Sequence, residues 1–253
     1  MTGASAGLGF ASAMALAAEG ANLIVNSRDE ARIARAASQI ADVTGVKVKH
    51  VAADIATVEG LQRLDEVIAS PDQQPIDILV SNAGGPPPGL FLDHDDAAWD
   101  NAHRLVLKSA IGLTRLVLPR MIERRFGRLI YLTSVGVLQP VDNLILSNTY
   151  RAAVTGMCKT ISNTYAQYGI TANCVCPGYT RTERLTQLAQ ARAEQSGESA
   201  DEVLAAFAEL APVRRLGEAA ETGAVVAFLA SEQAAFITGA SIPVDGGRHQ
   251  SLL

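Results

Sequence analysis

Thr2-Gly3-Ala4-Ser5-Ala6-Gly7-Leu8-Gly9 opens the chain and runs without a break into Phe10-Ala11-Ser12-Ala13-Met14-Ala15-Leu16, a stretch with helical composition. The three glycines permit a tight turn and let the backbone come close to a ligand. The helix that follows presents unpaired N–H groups and the positive end of its dipole. Together these features bind a pyrophosphate. Taken alone, the loop also fits an ordinary strand–helix turn, so its reading depends on the rest of the chain.

Outward from the loop, short apolar runs alternate with helix-period stretches. Strands are predicted over Asn22–Ser27, Val46–Ala53, Ile76–Ser81, Arg128–Thr133, Thr171–Cys176 and Ser241–Val244. Helices are predicted over Leu8–Glu19, Asp29–Val43, Val58–Ser70, Ala97–Arg124, Ser147–Tyr168 and Ala219–Ser231. Such alternation specifies an α/β fold, a doubly wound parallel sheet of the Rossmann type. No repeat or linker divides the chain, so residues 1–253 are expected to form a single dinucleotide-binding domain. The chain has 253 residues and 48% hydrophobic content. A domain of that size buries about 70–75% of its unfolded surface.

The order of motifs resembles the short-chain dehydrogenase/reductase family over about 240 residues. Thr-Gly-x-x-x-Gly-x-Gly is how that family writes its glycine loop. Ala53-Asp54-Ile55 is similar to its adenine segment, and Ser81-Asn82-Ala83-Gly84 to its Asn-Asn-Ala-Gly turn. Pro177-Gly178 with Thr182 resembles the loop on the nicotinamide side. Arg215-Leu216-Gly217-Glu218, Ile237-Thr238-Gly239 and Val244-Asp245-Gly246-Gly247 match the C-terminal third. The resemblance implies a nicotinamide dinucleotide held by Gly3, Ser5, Gly7, Leu8, Gly9, Asp54, Ile55, Asn82, Ala83, Gly84, Pro177, Gly178 and Thr182.

The end of the second family strand sets the cofactor. A carboxylate there would bond the adenosine ribose of NAD(H). The chain has Ser27 at that point, followed by Arg28, whose fork of donors suits a 2′-phosphate. NADP(H) is therefore favoured and NAD(H) is the alternative. Two observations weigh the other way: Arg28 also reads as a solvated surface residue, and Ala6 stands where many NADP-dependent relatives carry a basic residue.

The resembled family reduces or oxidises a carbonyl/alcohol pair with a Ser, a Tyr and a Lys. The Lys holds the ribose and lowers the Tyr pKa, which otherwise lies near about 10. Here Leu129-Ile130-Tyr131-Leu132-Thr133-Ser134 supplies the Ser, so Ser134 is read as the carbonyl-binding hydroxyl. The next helix departs from the pattern. Ser147 stands at the Tyr position and Arg151 at the Lys position, and Val106 replaces the active-site Asn. Serine is too weak an acid to replace a tuned phenol. Arginine can hold ribose hydroxyls but stays protonated at neutral pH. Tyr150 is the nearest phenol, about 60° around the helix from Ser147, and is read either as a relocated donor or as a packed ring. Leu146-Ser147-Asn148 through Arg151, with Gly84–Pro88, resembles a subgroup similar to 3-oxoacyl-acyl-carrier-protein reductases.

The family places a buried central strand immediately before the glycine loop, whereas this chain starts at Met1-Thr2. Burying one apolar side chain contributes about 1.5–3 kcal/mol, so several would total on the order of 10 kcal/mol, comparable to a domain's net stability. The expectation is a first strand missing from this chain, with a start assigned too late as the favoured explanation and a genuine truncation that weakens the sheet as the alternative.

The remaining features are less specific. With 21 basic and 26 acidic residues, the net charge of −5 gives no reason to expect nucleic acid or an anionic membrane as a partner. No apolar run reaches the roughly 20 residues that span a bilayer, and no signal segment opens the chain. Cys158, Cys174 and Cys176 are odd in number and lack metal-ligand spacing, which suggests a reducing cytoplasm, no disulfide scaffold and no metal. Residues 183–211 form a polar, Ala-rich insertion where relatives carry a substrate lid. The resemblance also implies a homodimer or homotetramer built on the long helices. The expected function is reduction of a carbonyl, in a 3-oxoacyl thioester or similar small molecule, by NADP(H). The alternative is a cofactor-binding protein with little or no catalysis, because Tyr-x-x-x-Lys has become Ser147/Arg151.

Overall fold

A computed structural model describes residues 1–252. Six parallel strands form two sheet segments, β1–β2 and β3–β4–β5–β6. β1 (Leu23–Ser27) pairs with β2 (Val48–Ala52) with Leu23 opposite Val48. β3 (Ile78–Ser81), β4 (Gly127–Leu132), β5 (Ile170–Pro177) and β6 (Ser241–Val244) follow in order, each parallel to its neighbour. Each strand lies within two residues of its predicted bounds.

Met1–Ala4 joins the two segments. On one side the Met1 ammonium donates to the Ile24 carbonyl at 2.9 Å, and Asn26 N–H donates to the Met1 carbonyl at 3.0 Å. Ala4 N–H reaches the Asn26 carbonyl at 3.0 Å. On the other side Thr2 N–H donates to the Val80 carbonyl at 3.2 Å, and the Thr2 hydroxyl bonds both backbone groups of Asn82. The position expected to lack a strand is therefore held by these four residues, bonded alternately to β1 and β3. The spatial order is β2, β1, Met1–Ala4, β3, β4, β5, β6.

Helices cover both faces, as a parallel sheet requires. Every residue of β4 and β5 is buried, and alternation divides their side chains between two cores. Leu129, Tyr131, Ala172 and Cys174 pack against Leu113, Val117 and Met121 of α5 (Ser109–Arg124) and Val154 of α6 (Ile145–Tyr165). Ile130, Leu132 and Val175 pack with α1 (Gly7–Ala18), α2 (Glu30–Thr44) and α9 (Ala219–Ala230) through Leu16, Ile33, Ile40 and Leu229. α3 (Val58–Ala69) adds Leu64 to the first core. All three cysteines are buried and unpaired.

The single helix expected over Ala97–Arg124 is divided. α4 (Asp96–Ala102) runs into a wide π-type turn over His103–Lys108, and α5 resumes at Ser109. The Ser109 hydroxyl donates back to the Leu105 and Val106 carbonyls, which stabilises the wider turn. The insertion consists of two helices, α7 (Glu183–Ser196) and α8 (Ala200–Glu209), with a small core of their own formed by Leu185, Ala189, Val203, Phe207 and Leu216. Gly197 ends α7 in the left-handed region, and Ser199 and Glu202 form a capping box on α8.

Candidate active site

The glycine loop lies in the topological crevice between β1 and β3. Gly3 and Gly7 take φ of 59° and 56°, which disfavour any side chain. A Cβ at Gly9 would lie 1.9 Å from the Gly3 carbonyl oxygen, so α1 is packed backbone to backbone on the turn. The Asn82 amide donates to that same carbonyl at 3.2 Å and joins the second predicted loop to the first.

α2, α3, α4, α7 and α8 each begin with a side-chain cap, from Asp29, Thr57, Asp95, Thr182 and Ser199. α1, preceded by Ala6, has no side-chain cap and no acid in its first turn, as is also true of α5 and α6. Its free N–H groups at Gly7, Leu8 and Gly9 suit a pyrophosphate. A Cβ at Gly84 would meet nothing within 4 Å, so the groove beside Asn82–Gly84 is open. These residues fit a dinucleotide.

Arg28 is exposed beyond the end of β1. Among the described residues no carboxylate pairs with it. Arg32, one turn further on, is held by both oxygens of Glu183 at 3.0 and 2.8 Å. On the far side, Asp54 accepts Ala56 N–H at 3.0 Å and Ile55 is buried beneath it. Gly178 N–H donates to the Val244 carbonyl at 3.0 Å, which fixes the Pro177-Gly178 turn. Thr182 lies against Gly7, where a Cβ would be 3.3 Å from its methyl.

The second cluster forms where β4 ends over α6. Ser147 and Arg151 are one turn apart on one face, and Arg151 Nε donates to the Ser147 hydroxyl at 3.2 Å. Arg151 Nη1 donates to the Leu132 and Thr133 carbonyls, both at 2.9 Å, and Nη2 to Ala83 at 3.5 Å. Those bonds use four of the five guanidinium donors and leave one for a ligand. Burial, then the charge of Arg184, pushes Arg151 down to about 10, still cationic at neutral pH. Ser134 follows Thr133 directly, and its hydroxyl accepts Gly136 N–H at 3.0 Å. The Asn148 amide bonds both backbone groups of Val141 and keeps the Ser134 turn against the start of α6. Ser134 and Ser147 each accept a hydrogen bond and retain a proton to donate.

Tyr150 does not join this cluster. Its ring lies 5.9 Å from Trp99 and 5.6 Å from His103, and Trp99 in turn meets Phe91 at 5.8 Å. Among the described residues it makes no hydrogen bond to Ser134, Ser147 or Arg151. Its i+3 position turns it toward α4. Val106 is buried in the wide turn and lines a cavity of about 10 Å³ with Ser81, Ala83 and Arg151, room for about one water.

Comparison with known proteins identifies the family. A family model described as enoyl-(acyl carrier protein) reductase covers residues 3–249. Oxidoreductase UcpA of Salmonella typhimurium is 34% identical, over 98% of this chain and 92% of the relative. The chain belongs to the short-chain dehydrogenase/reductase family. Within the family it is 30% identical to dehydrogenase/reductase SDR family member 6 of Rattus norvegicus, over 98% of this chain and 95% of that one. L-sorbose reductase of Gluconobacter frateurii, solved with NADPH and L-sorbose, superimposes with a TM-score of 0.93 at 31% identity, covering 100% and 96% of the two chains. This short-chain dehydrogenase/reductase is thus an oxidoreductase by family. Among the described residues no helix is long and apolar enough to cross a membrane, and no His, Cys, Asp and Glu group is placed to hold a metal ion.

Sequence reasoning missed Arg184. It follows Thr182 by two residues, and its guanidinium reaches across to the Pro86 carbonyl. A Cβ at Gly85 would lie 2.7 Å from Arg184 Nε, so the loop is bare where the guanidinium rests. A cation opening an insertion that follows Pro177-Gly178 was the available signal.

Proposed function

We propose that this chain is an NADP(H)-dependent reductase of carbonyl compounds, with a 3-oxoacyl thioester or similar molecule as nominal substrate. The observation that carries the reading is the Ser134–Ser147–Arg151 cluster, built at the family's catalytic positions beside an uncapped helix and an open groove. When bound, the dinucleotide supplies the hydride. Arg28, exposed and without an acid partner among the described residues, supports preference for the 2′-phosphate of NADP(H) over NAD(H). Leu185 and Phe207 of α7 and α8 are buried in the insertion's own core, which supports a preformed lid over residues 183–211.

The chain's own residues then act on the carbonyl oxygen. Ser134 and Ser147 donate hydrogen bonds to it. Arg151 fixes the Ser147 hydroxyl with its acceptor side occupied and places a positive charge behind it. Charge that develops on the oxygen is stabilised by these preorganised donors, and the proton that completes the alcohol comes from water. Hydrogen-bond stabilisation replaces the family's phenol acid. Exposed Leu90, Phe91 and Leu92 beside α4 support self-association as a homodimer or homotetramer.

The experiment is turnover of NADPH with a panel of ketones and 3-oxoacyl thioesters, alongside NADPH binding. Tyr150→Phe is expected to change kcat/KM less than about twofold, because the ring is packed against Trp99 and His103. A drop of tenfold or more would return the phenol to the chemistry. The pH profile is a second test. With no phenol to titrate, kcat/KM should stay level from about pH 6 to about pH 9. It should fall as Arg151 loses its proton near about 10. A break near neutral pH would expose a different acid. Binding without turnover of any carbonyl would favour the cofactor-binding reading, which the displacement of Tyr150 supports.

A further inference from the structure

Arg184 lacks the counter-charge that three of the arginines near it in sequence have. Five arginines lie between residues 181 and 215. Arg181, Arg214 and Arg215 pair with Glu218, Glu209 and Glu221. Arg192 lies over the Phe207 ring at 5.6 Å. Arg184 has neither an acid nor a ring among the described residues. Its single hydrogen bond is to the Pro86 carbonyl, which leaves four of its five donors unused. Burial pushes it down, and among the described residues no carboxylate lies close enough to push it back.

Its neighbour across the cleft is Arg151, whose pKa it lowers further. Among the described residues Arg151 is equally without an acid. Two cations therefore flank Ala83–Pro86, one bonded at each end, with no anion between them. A half-buried charge with neither counter-ion nor full hydrogen bonding is costly to a fold. Arg128 shows how this fold settles such a charge for structure alone: three backbone carbonyls receive it and its guanidinium lies over Phe126. Arg184 has one carbonyl.

We propose that the substrate of this site is anionic: a carbonyl compound whose carboxylate is received by Arg184 while its carbonyl oxygen lies at Ser134 and Ser147. The inference rests on the proposed function and narrows its substrate class. The dinucleotide's pyrophosphate has its own place at Gly7–Gly9, on a different side of the α7 start. Successive residues there point apart: Thr182 to Gly7, Glu183 to Arg32 and Arg184 to Pro86. The last of these faces the Ala83–Pro86 loop that also receives Arg151.

The test is calorimetric and needs no turnover. The chain is saturated with NADP⁺, which cannot reduce a ketone, and titrated with short oxocarboxylates and with their methyl esters. Wild type should bind a carboxylate at least tenfold more tightly than its ester. Arg184→Gln keeps a donor for the Pro86 carbonyl and should reduce that ratio to near one, with NADP⁺ affinity changed less than twofold. Arg184→Lys should recover part of it. Gly85→Ala keeps the charge but displaces the guanidinium, and should also lower the ratio. No preference in wild type, or the same preference in Arg184→Gln, overturns the proposal. A tenfold loss of NADP⁺ affinity with the preference intact overturns it too, and assigns Arg184 to the cofactor's phosphates. Turnover with NADPH is measured separately: carboxylate preference without reduction of any ketone refutes the proposed function and leaves the anion site standing.

Discussion

Gly9→Ala is expected to weaken dinucleotide binding by at least about 100-fold, a loss of about 2.7 kcal/mol. The added methyl would lie 1.9 Å from the Gly3 carbonyl oxygen and 2.8 Å from the Asn82 amide nitrogen. The first contact is with backbone, so no rotamer change relieves it. α1 must retreat from the turn, or the turn must open and break the bond from Asn82 to Gly3. Either movement displaces the free N–H groups of α1 from the line of a pyrophosphate. Thermal unfolding and dinucleotide titration of the same variant check the two consequences together. An affinity within threefold of wild type would show that the loop does not hold the phosphates.

Arg151→Leu is the second large effect. Turnover should fall by about 10²–10⁴, the range associated with losing a preorganised charge or general acid at a reacting oxygen. Two losses combine. The Ser147 hydroxyl loses the donor that fixes it, and the carbonyls of Leu132, Thr133 and Ala83 lose theirs. Leaving buried carbonyls without a partner costs about 1–3 kcal/mol, so Tm should drop by roughly 5 °C as well. Ser147→Ala separates the two contributions. It removes the hydroxyl and leaves the three carbonyl bonds in place, so it should lower kcat with little change in Tm. Equal losses of Tm in both variants would mean that the cluster is chiefly structural.

The turn geometry of the glycine loop was legible because it is local. A turn, its glycines and the helix behind it lie within Thr2–Gly9, and the adjoining Asn82 loop is equally short. The cluster around Ser134, Ser147 and Arg151 depends on distant segments. Ser147 and Arg151 could be placed on one helical face from their spacing, but the direction of Tyr150 is set by Trp99 and His103, some fifty residues earlier. The division of Ala97–Arg124 was hidden for a related reason: a π-type turn inserts a residue without disturbing the apolar pattern. The role of Met1–Ala4 was also out of reach, because its bonds go to Ile24, Asn26 and Val80. Arg184 could be read as one more lid arginine until the structure showed which of them have acids.

The most direct test of the account is isotopic. NADPH carrying deuterium at nicotinamide C4 is supplied with a ketone or 3-oxoacyl substrate, and the product alcohol is examined by mass spectrometry. Deuterium is expected on the carbinol carbon with wild type and with Tyr150→Phe, and a yield reduced at least about 100-fold with Arg151→Leu. Saturating NADPH binding with no labelled alcohol from any substrate in the panel would contradict it.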